Sequence, residues 1–373
     1  MLNILVTGSA GFIGKNLVHA LRRNRQYVVW EFDRNSPAER LNERLALADV
    51  VFHIAGENRP TDPVAFEAVN VGLTRAIIRA LSALGRRPRL IFASSIQAEN
   101  DSLYGRSKRE AEEDLRQFAE ATGCQVVAYR LKNIFGKWSR PNYNSVVATF
   151  CHNVARGLPI TISDPARVLE LVYIDDVVAA FMAEIERTAS TPFSYADVPV
   201  SYRITVAELA SRIHGFHQSR RSGWVPDFSD GLTKALYATY LANLDTKDFA
   251  YSLETKTDSR GTLAELLKSS PFGQVFVSTT KPGVTRGNHF HDTKAEKFIV
   301  LRGEAEVRFR HVSSNEIVRY SVSGANLRVV DIPPGYTHSI TNIGDSELIV
   351  LFWANEVFDP ERPDTYRLEV ERE

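Results

Sequence analysis

Residues 2–14 of the chain read LNILVTGSAGFIG, an apolar run followed by three glycines spaced three apart. The apolar run predicts a buried strand, and the segment KNLVHALRR after it predicts a helix that starts near Phe12. Gly8 permits a tight turn, Gly11 lets the backbone approach a pyrophosphate, and Gly14 allows the helix to pack closely on the strand. Exposed amides and the positive end of the helix would then bind phosphates. This stretch therefore predicts a dinucleotide-binding turn.

The same strand-and-helix pattern repeats along the first two-thirds of the chain. Further apolar runs read YVVWEFD, DVVFHIAG, RLIFASS and QVVAYRL, and they alternate with helical segments such as TRAIIRALSALG and KREAEEDLRQFAEATG. Alternation of this kind is typical of a parallel sheet with helices on both faces. We therefore predict an α/β domain of Rossmann type over residues 1–245.

Asp33 and Arg34 stand at the end of the second predicted strand, about 20 residues after the last glycine, where the dinucleotide fingerprint places an acidic residue. A carboxylate there suits a ribose 2′-hydroxyl, whereas a guanidinium suits the 2′-phosphate of NADP(H). We favour NADPH as the cofactor. The alternative is that Arg34 is simply solvated.

Tyr104 and Lys108 form a second pattern, because positions i and i+4 lie on the same face of a helix. The phenol and the ammonium could then meet the same nicotinamide ribose, and the nearby positive charge should lower the pKa of the tyrosine. Ser94 and Ser95 end the strand upstream, at the carboxyl edge of the predicted sheet. A Tyr-x-x-x-Lys pair alone is often a surface feature of a helix, but the glycine turn and the strand-end serine make it a candidate catalytic site.

These motifs resemble the extended short-chain dehydrogenase/reductase family, and specifically its nucleotide-sugar branch. The matching segments over residues 3–180 are TGSAGFIG, HIAG, NVGLT, SS with YGRSK, RLKNIFG and LVYIDDVV. The resemblance implies that Ser95 polarises a carbonyl, that Tyr104 transfers a proton, and that Lys108 binds ribose and tunes the tyrosine. The cofactor-binding residues it implies are Gly8, Gly11, Phe12, Ile13, Gly14, Asp33, Arg34, Ala55 and Lys108.

The resemblance implies that Asn133 contacts the sugar nucleotide. Two departures from the family pattern affect which other residues are expected to bind the substrate. The gap between Ser95 and Tyr104 is short, so which of Ser94 and Ser95 acts in catalysis stays open, and Ser94 is a candidate for binding the substrate. Many relatives carry an arginine at the position of Leu169. A different cation, Arg140 or Arg167, is therefore expected to face the diphosphate.

After about residue 240 the apolar spacing changes to a period of two. In the segment EAEVRFR the apolar side chains of Ala305, Val307 and Phe309 point one way, and the charged ones, including Arg310, point the other. Further predicted strands, GQVFVSTT and SELIVLFW among them, are separated by KPG, PPG and IGD turns. The pattern predicts an all-β domain, most simply a jelly-roll barrel, over residues 246–373.

Three histidines and one glutamate in this second region have the spacing of a metal site: His289, His291, Glu296 and His338. Residues two apart on a strand point the same way. Three imidazoles and a carboxylate suit Zn, Fe, Mn or Ni, and we favour zinc because no redox partner is evident. The alternative is that these side chains only pack. The segments resemble the two sequence motifs of the cupin family, except that Leu327 replaces the glycine that opens the second motif.

Length and charge limit the classes of protein to consider. A chain of 373 residues favours two domains, and 45 basic against 45 acidic residues exclude a broadly basic nucleic-acid binder. Two cysteines are too few for a secreted disulfide scaffold. We see neither a signal peptide nor an apolar run of membrane-spanning length. We expect a cytoplasmic homodimer with no nucleic-acid or membrane partner.

Over nearly its full length the chain resembles the bifunctional CapF-type enzymes of UDP-N-acetyl-L-fucosamine biosynthesis. Matching stretches include FGKWSRPNYNSVVATF, TKPGVTRGNHFHDTKAEKF, DIPPGYTHSI and LFWANEVFDPERPDTY. The resemblance implies that the cupin epimerises C3 of UDP-2-acetamido-2,6-dideoxy-4-keto-hexose, and that the first domain then reduces C4 with NADPH to UDP-2-acetamido-2,6-dideoxy-L-talose. Epimerisation must come first, because only the ketone makes the C3 hydrogen acidic and lets a divalent cation stabilise the enediolate.

Three other functions stay open from the sequence. The cupin could be a non-catalytic dimerisation or metal-sensing module on a plain 4-ketoreductase. The whole chain could be an NADPH-sensing regulator, although a sensor needs no proton donor. The cupin could also be an Fe-dependent dioxygenase. The base for epimerisation is not identified, since Lys294, Lys297 and Tyr336 are only close to the predicted ligands in sequence.

Overall fold

The computed structural model describes residues 1–58, 62, 64, 66–187 and 190–371, which form two compact units. The first unit comprises Met1–Ile213 and Lys234–Asp245, and the second comprises His214–Thr233 and the chain from Thr246 onward. The predicted division at residues 245 and 246 does not anticipate that His214–Thr233 belongs to the second unit. This segment pairs there with a strand of that unit, because the backbone amide of Val225 donates to the carbonyl of Lys268 at 2.8 Å.

The first unit alternates strands and helices. Its strands are β1 (Leu2–Thr7), β2 (Tyr27–Phe32), β3 (Val50–His53), β4 (Arg89–Ser95), β5 (Val126–Leu131), β6 (Asn133–Phe135), β7 (Val168–Tyr173), β8 (Phe193–Ala196) and β9 (Tyr202–Thr205). The helices up to residue 241 are α1 (Phe12–Leu21), α2 (Ala38–Leu47), α3 (Leu73–Leu84), α4 (Leu103–Thr122), α5 (Val146–Ala155), α6 (Ile174–Ala183), α7 (Val206–Ser222) and α8 (Gly231–Leu241). A π-helix over Phe66–Gly72 leads into α3.

Six of these strands form one parallel sheet in the order β2-β1-β3-β4-β5-β8. Successive residues of the central strands are buried on opposite faces: Ile4 packs in one apolar cluster, whereas Leu5 packs in the other. Two buried faces explain why these strands read as continuous apolar runs. The carboxyl ends of the strands meet at one edge, where Thr7 pairs in register with Phe32 and His53. A small second sheet has the order β6-β7-β9.

The second unit contains the strands β10 (Thr255–Asp258), β11 (Gly261–Ser269), β12 (Gly273–Thr280), β13 (Thr285–Phe290), β14 (Glu296–Arg302), β15 (Glu304–His311), β16 (Ile317–Ser323), β17 (Val329–Ile332), β18 (Tyr336–Asn342), β19 (Leu348–Ala354) and β20 (Tyr366–Arg367). They form two antiparallel sheets, in the orders β10-β11-β12-β19-β14-β17 and β16-β15-β18-β13-β20. Apolar side chains from both sheets, including Phe298, Val307 and Val350, share one core. An α/β domain followed by an all-β domain of packed sheets confirms the predicted fold class.

Arg310 differs from its predicted position on the solvent face of β15. Its side chain is only 1% exposed, because the C-terminal residues cover that face of the strand. The guanidinium donates to the carbonyl oxygens of Val370 at 2.8 Å and of Glu369 at 2.7 Å. A buried guanidinium needs acceptors for its N–H groups, so these bonds hold the end of the chain against the barrel.

Within the described ranges, no helix is long and apolar enough to cross a membrane.

Candidate functional site

The glycine turn connects β1 to α1 at the carboxyl edge of the parallel sheet. Gly8 has a φ of +71°, and a Cβ on it would lie 2.7 Å from the backbone of Ala55. A Cβ on Gly14 would overlap the carbonyl oxygen of Gly8, so the close approach of helix and turn requires glycine. No side chain caps α1 at Gly11, which leaves amides of the first helical turn for a phosphate.

Two further observations bear on whether a dinucleotide fits this turn. The hydroxyl of Ser9 is buried and has no hydrogen-bond partner among the described residues. Phe12 and Ile13 form the first turn of α1 and pack partly buried against the core, so this end of the helix is firmly placed. An unpartnered polar atom inside a glycine-lined turn is consistent with a ligand that supplies the missing hydrogen bond. The residues present therefore fit the pyrophosphate of a dinucleotide.

A chain of hydrogen bonds behind the turn fixes β1, β3 and α3 relative to one another. The Thr7 hydroxyl donates to Nδ1 of His53 at 2.9 Å, and Nε2 of the same ring donates to the Thr74 hydroxyl at 2.9 Å. We assign this tautomer because Thr74 in turn donates to the carbonyl of Asn70 at 2.7 Å. Burial and the charge of Lys108 lower the pKa of His53 to about 3, so the imidazole is neutral.

Asn70 connects the strand that ends at His53 to the helix that carries the candidate catalytic residues. Its side chain accepts from the amide of Glu57 at 2.8 Å and donates to the hydroxyl of Ser107 at 2.9 Å. Ser107 donates to the carbonyl of Tyr104 at 2.8 Å. The motif containing Asn70 therefore has a positioning role that its sequence did not reveal.

Tyr104 and Lys108 lie one turn apart on α4, and Ser95 ends β4 beside them. The Ser95 hydroxyl accepts from the amide of Gln97 at 3.2 Å and lies near the Tyr104 phenol, whose pKa it acts to lower. The Lys108 ammonium is buried and donates to the carbonyl of Ala93 at 2.9 Å. The structure thus brings Ser95, Tyr104 and Lys108 together at the carboxyl edge of the sheet, as the motif predicts.

The electrostatics of this group differ from the sequence-based expectation. Burial raises the pKa of Tyr104, and the neighbouring Ser95 hydroxyl opposes that rise. The prediction that Lys108 lowers the pKa of Tyr104 is therefore wrong for the protein without its cofactor. Burial instead lowers the pKa of Lys108 itself to about 8, against the charge of Glu112. Desolvation is the largest cause at both groups, because each is taken out of water.

Ser94 is placed differently from Ser95, which decides between the two serines. Its hydroxyl is buried and donates to the carboxylate of Glu112. That carboxylate also accepts from Arg130 at 2.7 Å and from the hydroxyl of Tyr195 at 3.0 Å. Neighbouring residues on a strand face opposite sides, so only Ser95 points toward Tyr104. The geometry favours Ser95 in the catalytic group, and the expectation that Ser94 binds substrate receives no support from its contacts.

Asp33 and Arg34 follow β2 directly beside the glycine turn, since Gly8 donates from its amide to the carbonyl of Phe32 at 2.8 Å. The Asp33 carboxylate accepts from the amide of Asn35 at 2.8 Å, and Arg34 is exposed. The charge of Arg34 reaches Tyr143, where it and Arg140 oppose the rise of the tyrosine pKa that burial causes.

Besides Ser94, the residues predicted to bind the sugar nucleotide are Asn133, Arg140 and Arg167, and these three do not form one group. The guanidinium of Arg140 lies 5.1 Å from the ring centre of Tyr143, whose hydroxyl donates to Glu57 at 2.9 Å. Arg140 is therefore on the side of the site where Arg34 lies. Asn133, by contrast, begins β6 and donates to the carbonyl of Glu170 at 3.1 Å, and Arg167 precedes β7, the partner of β6. Sequence reasoning did not single out Tyr143 or Glu57, because no periodic pattern marks either residue.

In the second unit, three of the predicted metal ligands converge. One nitrogen from each of His289, His291 and His338 lies within 4.8 Å of the others. The Glu296 carboxylate lies at the edge of this cluster, 3.7 Å from Nε2 of His291. Burial lowers the pKa of His338 to about 3 and also lowers that of His289, so both rings are neutral as a metal requires.

Backbone carbonyls orient the imidazoles. Nδ1 of His291 donates to the carbonyl of Asp364 at 2.6 Å, and Nδ1 of His338 donates to the carbonyl of Tyr336 at 3.4 Å. Nε2 of His291 is buried without a hydrogen-bond partner among the described residues. A histidine bonded through one nitrogen and free at the other is typical of a metal ligand. The donor set therefore fits a divalent cation. Leu327, which replaces the glycine of the second cupin motif, is exposed and lies outside β18, the strand that contains His338.

The cluster borders a cavity of about 190 Å³ between the two sheets. Its walls are mainly apolar, and its polar lining residues are Arg260, Ser278, Arg286, His289, Glu296, His338 and Ser339. None of the three candidate bases lines it. Lys294 donates to Thr365 at 3.1 Å, Lys297 pairs with Asp331, and the ring of Tyr336 packs on His311.

A bulge in β13 decides which side chains face this cavity. The register between β13 and β18 shifts between Gly287 and His289, and Asn288 has a φ of +58°. The extra residue lets Arg286 and His289, three apart in sequence, both line the cavity. Strict alternation would have placed them on opposite faces, so sequence reasoning missed Arg286.

Comparison with known proteins agrees with this architecture. Residues 4–195 match the NAD dependent epimerase/dehydratase family, and residues 256–366 match the polysaccharide biosynthesis C-terminal domain. The chain is 45% identical over 369 residues to UDP-2-acetamido-2,6-beta-L-arabino-hexul-4-ose reductase of Pseudomonas aeruginosa, and the match covers 99% of both chains.

Solved structures give the same picture. The capsular polysaccharide assembling protein CapF from Staphylococcus aureus is 43% identical, with a TM-score of 0.92 over 99% of this chain and 100% of that one. A UDP-glucose 4-epimerase from Thermotoga maritima is 22% identical, with a TM-score of 0.55 over 65% of this chain and 98% of that one, and shows the fold alone. The chain therefore belongs to the NAD dependent epimerase/dehydratase family, which implies a nicotinamide cofactor, and over its full length to the CapF-type proteins.

Proposed function

We propose that this protein is a bifunctional nucleotide-sugar enzyme. The cupin domain epimerises C3 of UDP-2-acetamido-2,6-dideoxy-4-keto-hexose, and the first domain then reduces the C4 ketone with NADPH. The product is UDP-2-acetamido-2,6-dideoxy-L-talose, on the route to UDP-N-acetyl-L-fucosamine. The observation that carries the proposal is the presence in one chain of the Ser95, Tyr104 and Lys108 group and of a cavity lined by neutral histidines. Similarity to a UDP-sugar 4-ketoreductase supports the substrate class.

In the reduction, the nicotinamide supplies a hydride to C4 when it is bound. The Tyr104 hydroxyl donates its proton to the ketone oxygen, and its raised pKa keeps it protonated at neutral pH, as a general acid requires. Ser95 donates its one hydroxyl proton in a second hydrogen bond to the same ketone oxygen. Lys108 places a positive charge near the phenolate that remains, which favours the proton transfer.

In the epimerisation, the C3–H bond breaks and a proton returns to the opposite face, so the step needs no oxidant. A divalent cation, zinc in our proposal, stabilises the negative charge on the ketone oxygen when it is bound. His289, His291, Glu296 and His338 are the residues that would hold it. The carbonyls of Asp364 and Tyr336 orient two of these rings, and the apolar walls exclude water, which strengthens the electrostatic interactions inside. Epimerisation comes before reduction, because an alcohol at C4 would leave C3 without acidity.

The choice of NADPH over NADH rests on Arg34, which is exposed beside the glycine turn where a 2′-phosphate would lie. Arg140 lies on the same side of the site and would add a second positive charge. The homodimer and the cytoplasmic location stay predictions. A nucleic-acid partner is not expected, since the chain carries no net charge.

Product analysis by NMR, with the 4-keto sugar in D₂O, tests the proposal. Without NADPH we expect deuterium to enter C3, and with NADPH we expect the reduced product with C3 inverted. Reduction without inversion or exchange at C3 would instead support a single-activity reductase with a non-catalytic cupin. Metal analysis and oxygen uptake on the same sample test the dioxygenase alternative, for which oxygen consumption is the diagnostic result.

A further inference from the structure

The cavity of the second unit has a charged corner that the metal site does not use. Arg260 and Arg286 line the cavity together with the histidines, and both guanidiniums face the carboxylate of Asp258. Nη2 of Arg260 lies 2.5 Å from Oδ2 of Asp258, and Nη2 of Arg286 lies 3.9 Å from Oδ1. Two cations and one carboxylate leave a net positive charge at this corner.

Arg286 is held rigidly by β12. Its Nε donates to the hydroxyl of Thr280 at 3.0 Å, and its Nη2 donates to the carbonyl of Thr279 at 3.0 Å. Its side chain is 15% exposed. Within the described part of the chain, Nη1 makes no hydrogen bond. A preorganised guanidinium with a free N–H pair is well suited to an anion with several oxygens, such as a phosphate.

The same cavity contains a buried polar atom without a partner. Ser278 lies on β12, is 3% exposed and lines the cavity, and its hydroxyl has no hydrogen-bond partner among the described residues. Leaving such a group unpaired destabilises the empty site, and a hydroxyl or carbonyl of a ligand would pair with it. The unpaired hydroxyl and the guanidinium corner are independent of the histidine cluster. The hydroxyl indicates a polar ligand, and the guanidiniums indicate an anionic one.

The geometry along β13 relates this corner to the metal cluster. Arg286 precedes His289 by three residues, one of which is the bulged Asn288. Strand residues advance by about 3.3 Å each, so the backbone positions from which these two side chains extend lie within about 10 Å of one another. In the substrate of the proposed function, the formal negative charges lie on the diphosphate that adjoins the sugar ring.

We propose that Arg286, with Arg260 beside it, binds the diphosphate of the nucleotide sugar, while the sugar ring enters the cavity toward His289, His291 and His338 and pairs with Ser278. This inference rests on the proposed epimerase function. Arg286 would then select nucleotide-linked sugars over free sugars. The apolar walls of the cavity would contact the sugar ring.

Two measurements on the full chain test the inference. The first is the rate of deuterium entry at C3 as a function of UDP-sugar concentration, without NADPH. We expect Arg286→Met to raise KM roughly 10- to 150-fold, the range for loss of hydrogen bonds to a charged group, and Arg286→Lys to raise it less. The exposed Arg328→Met is the matched control and should leave KM unchanged. Metal content of each variant, measured in parallel, shows that the histidine cluster is intact.

The second measurement is calorimetric titration with UDP itself. We expect two UDP sites per wild-type chain, one in each domain, and one site in Arg286→Met. If wild-type protein exchanges C3 deuterium and Arg286→Met keeps the wild-type KM, or loses only kcat, the inference is wrong although the proposed function stands. If wild-type protein does not exchange at all, the proposed epimerase function fails, and the number of UDP sites alone decides whether Arg286 binds a diphosphate.

Discussion

Two buried histidines, His53 in the first unit and His291 in the second, show how the two regions differ. Both are at most 1% exposed. His53 is hydrogen-bonded at both ring nitrogens, whereas His291 is bonded only through Nδ1. Its buried Nε2 makes no hydrogen bond among the described residues, and the Glu296 carboxylate stays 3.7 Å away. An unpaired buried polar group costs about 1–3 kcal/mol. The bonding of each ring therefore gives His53 the pattern of a scaffold residue and His291 the pattern that the proposed metal site requires.

The two regions also build their chemistry differently. In the first unit, Tyr104 and Lys108 come from one helix turn, and the neighbouring serine is the last residue of β4. In the second unit, His289 and His338 come from paired strands, and the carbonyl of Asp364 comes from the C-terminal segment. Local spacing fixes the first group, whereas strand pairing over long sequence separation fixes the second. The following predictions use this difference, in decreasing order of effect.

The largest effect is expected from His291→Ala. Removing one of three converging imidazoles should abolish stoichiometric metal binding and C3 deuterium exchange, because the remaining donors no longer complete a site. Metal analysis and the exchange assay measure this, and NADPH binding should be unchanged. His311→Ala, an exposed histidine of the same unit, is the control. Metal retained at wild-type stoichiometry in His291→Ala would contradict the assignment.

The next effect is expected from Tyr104→Phe in the first unit. Loss of the proton donor should reduce the rate of NADPH oxidation with the keto sugar by about 10²–10⁴, the usual contribution of a general acid. Exchange at C3 should continue at the wild-type rate, since it belongs to the other unit. A variant that oxidises NADPH normally would show that Tyr104 is not the acid.

A smaller effect is expected from Asp364→Ala. The Asp364 carboxylate accepts from the amides of Asp292, Thr293 and Lys294 at 2.7–3.0 Å, and its pKa lies far below the usual range because of these bonds. Without them, the carbonyl that orients His291 should shift, and metal affinity should fall by about 10- to 100-fold. Competition with a chelator measures the affinity. Asp359→Ala, exposed on the same segment, should leave it unchanged.

The pH dependence of reduction tests the electrostatics of Lys108. Because burial lowers its pKa to about 8, the ammonium is charged below that pH and neutral above it. The rate of NADPH oxidation should therefore fall as the pH rises through about 8. Lys108→Arg keeps its charge throughout this range and should not show that fall. A wild-type rate that stays constant to about pH 9 would contradict the assignment of Lys108 as the charged group.

The smallest effect is expected from Thr74→Val. This substitution keeps the shape of the side chain but leaves Nε2–H of His53 unpaired, which should lower the free energy of unfolding by about 1–3 kcal/mol. Urea denaturation measures the change, with the exposed Thr161→Val as the control. Metal content should not change, since His53 belongs to the scaffold. An unchanged unfolding midpoint would show that the hydrogen-bond chain through His53 does not stabilise the unit.

Several features could be predicted from sequence because they depend on short-range spacing. The glycine turn, the pair on α4, and His289 at the end of β13 with His291 just after it each follow from local spacing, and each lies where that spacing predicts. The same holds for the buried face of Ala305, Val307 and Phe309. Periodicity failed at Arg310, because it describes a strand alone and not the segment that covers it.

Contacts between distant residues decided the rest. The sequence by itself determined a glycine-rich turn beside a Tyr-Lys helix and a barrel with three histidines at ligand spacing. Only the tertiary structure showed that Ser95, and not Ser94, faces Tyr104. It also showed that the bulge at Asn288 lets Arg286 line the cavity, and that the carbonyl of Asp364 contacts His291. The physical reason is that hydrogen bonds and desolvation act between atoms close in space, whereas their residues can be far apart in the chain, as His291 and Asp364 are at 73 residues.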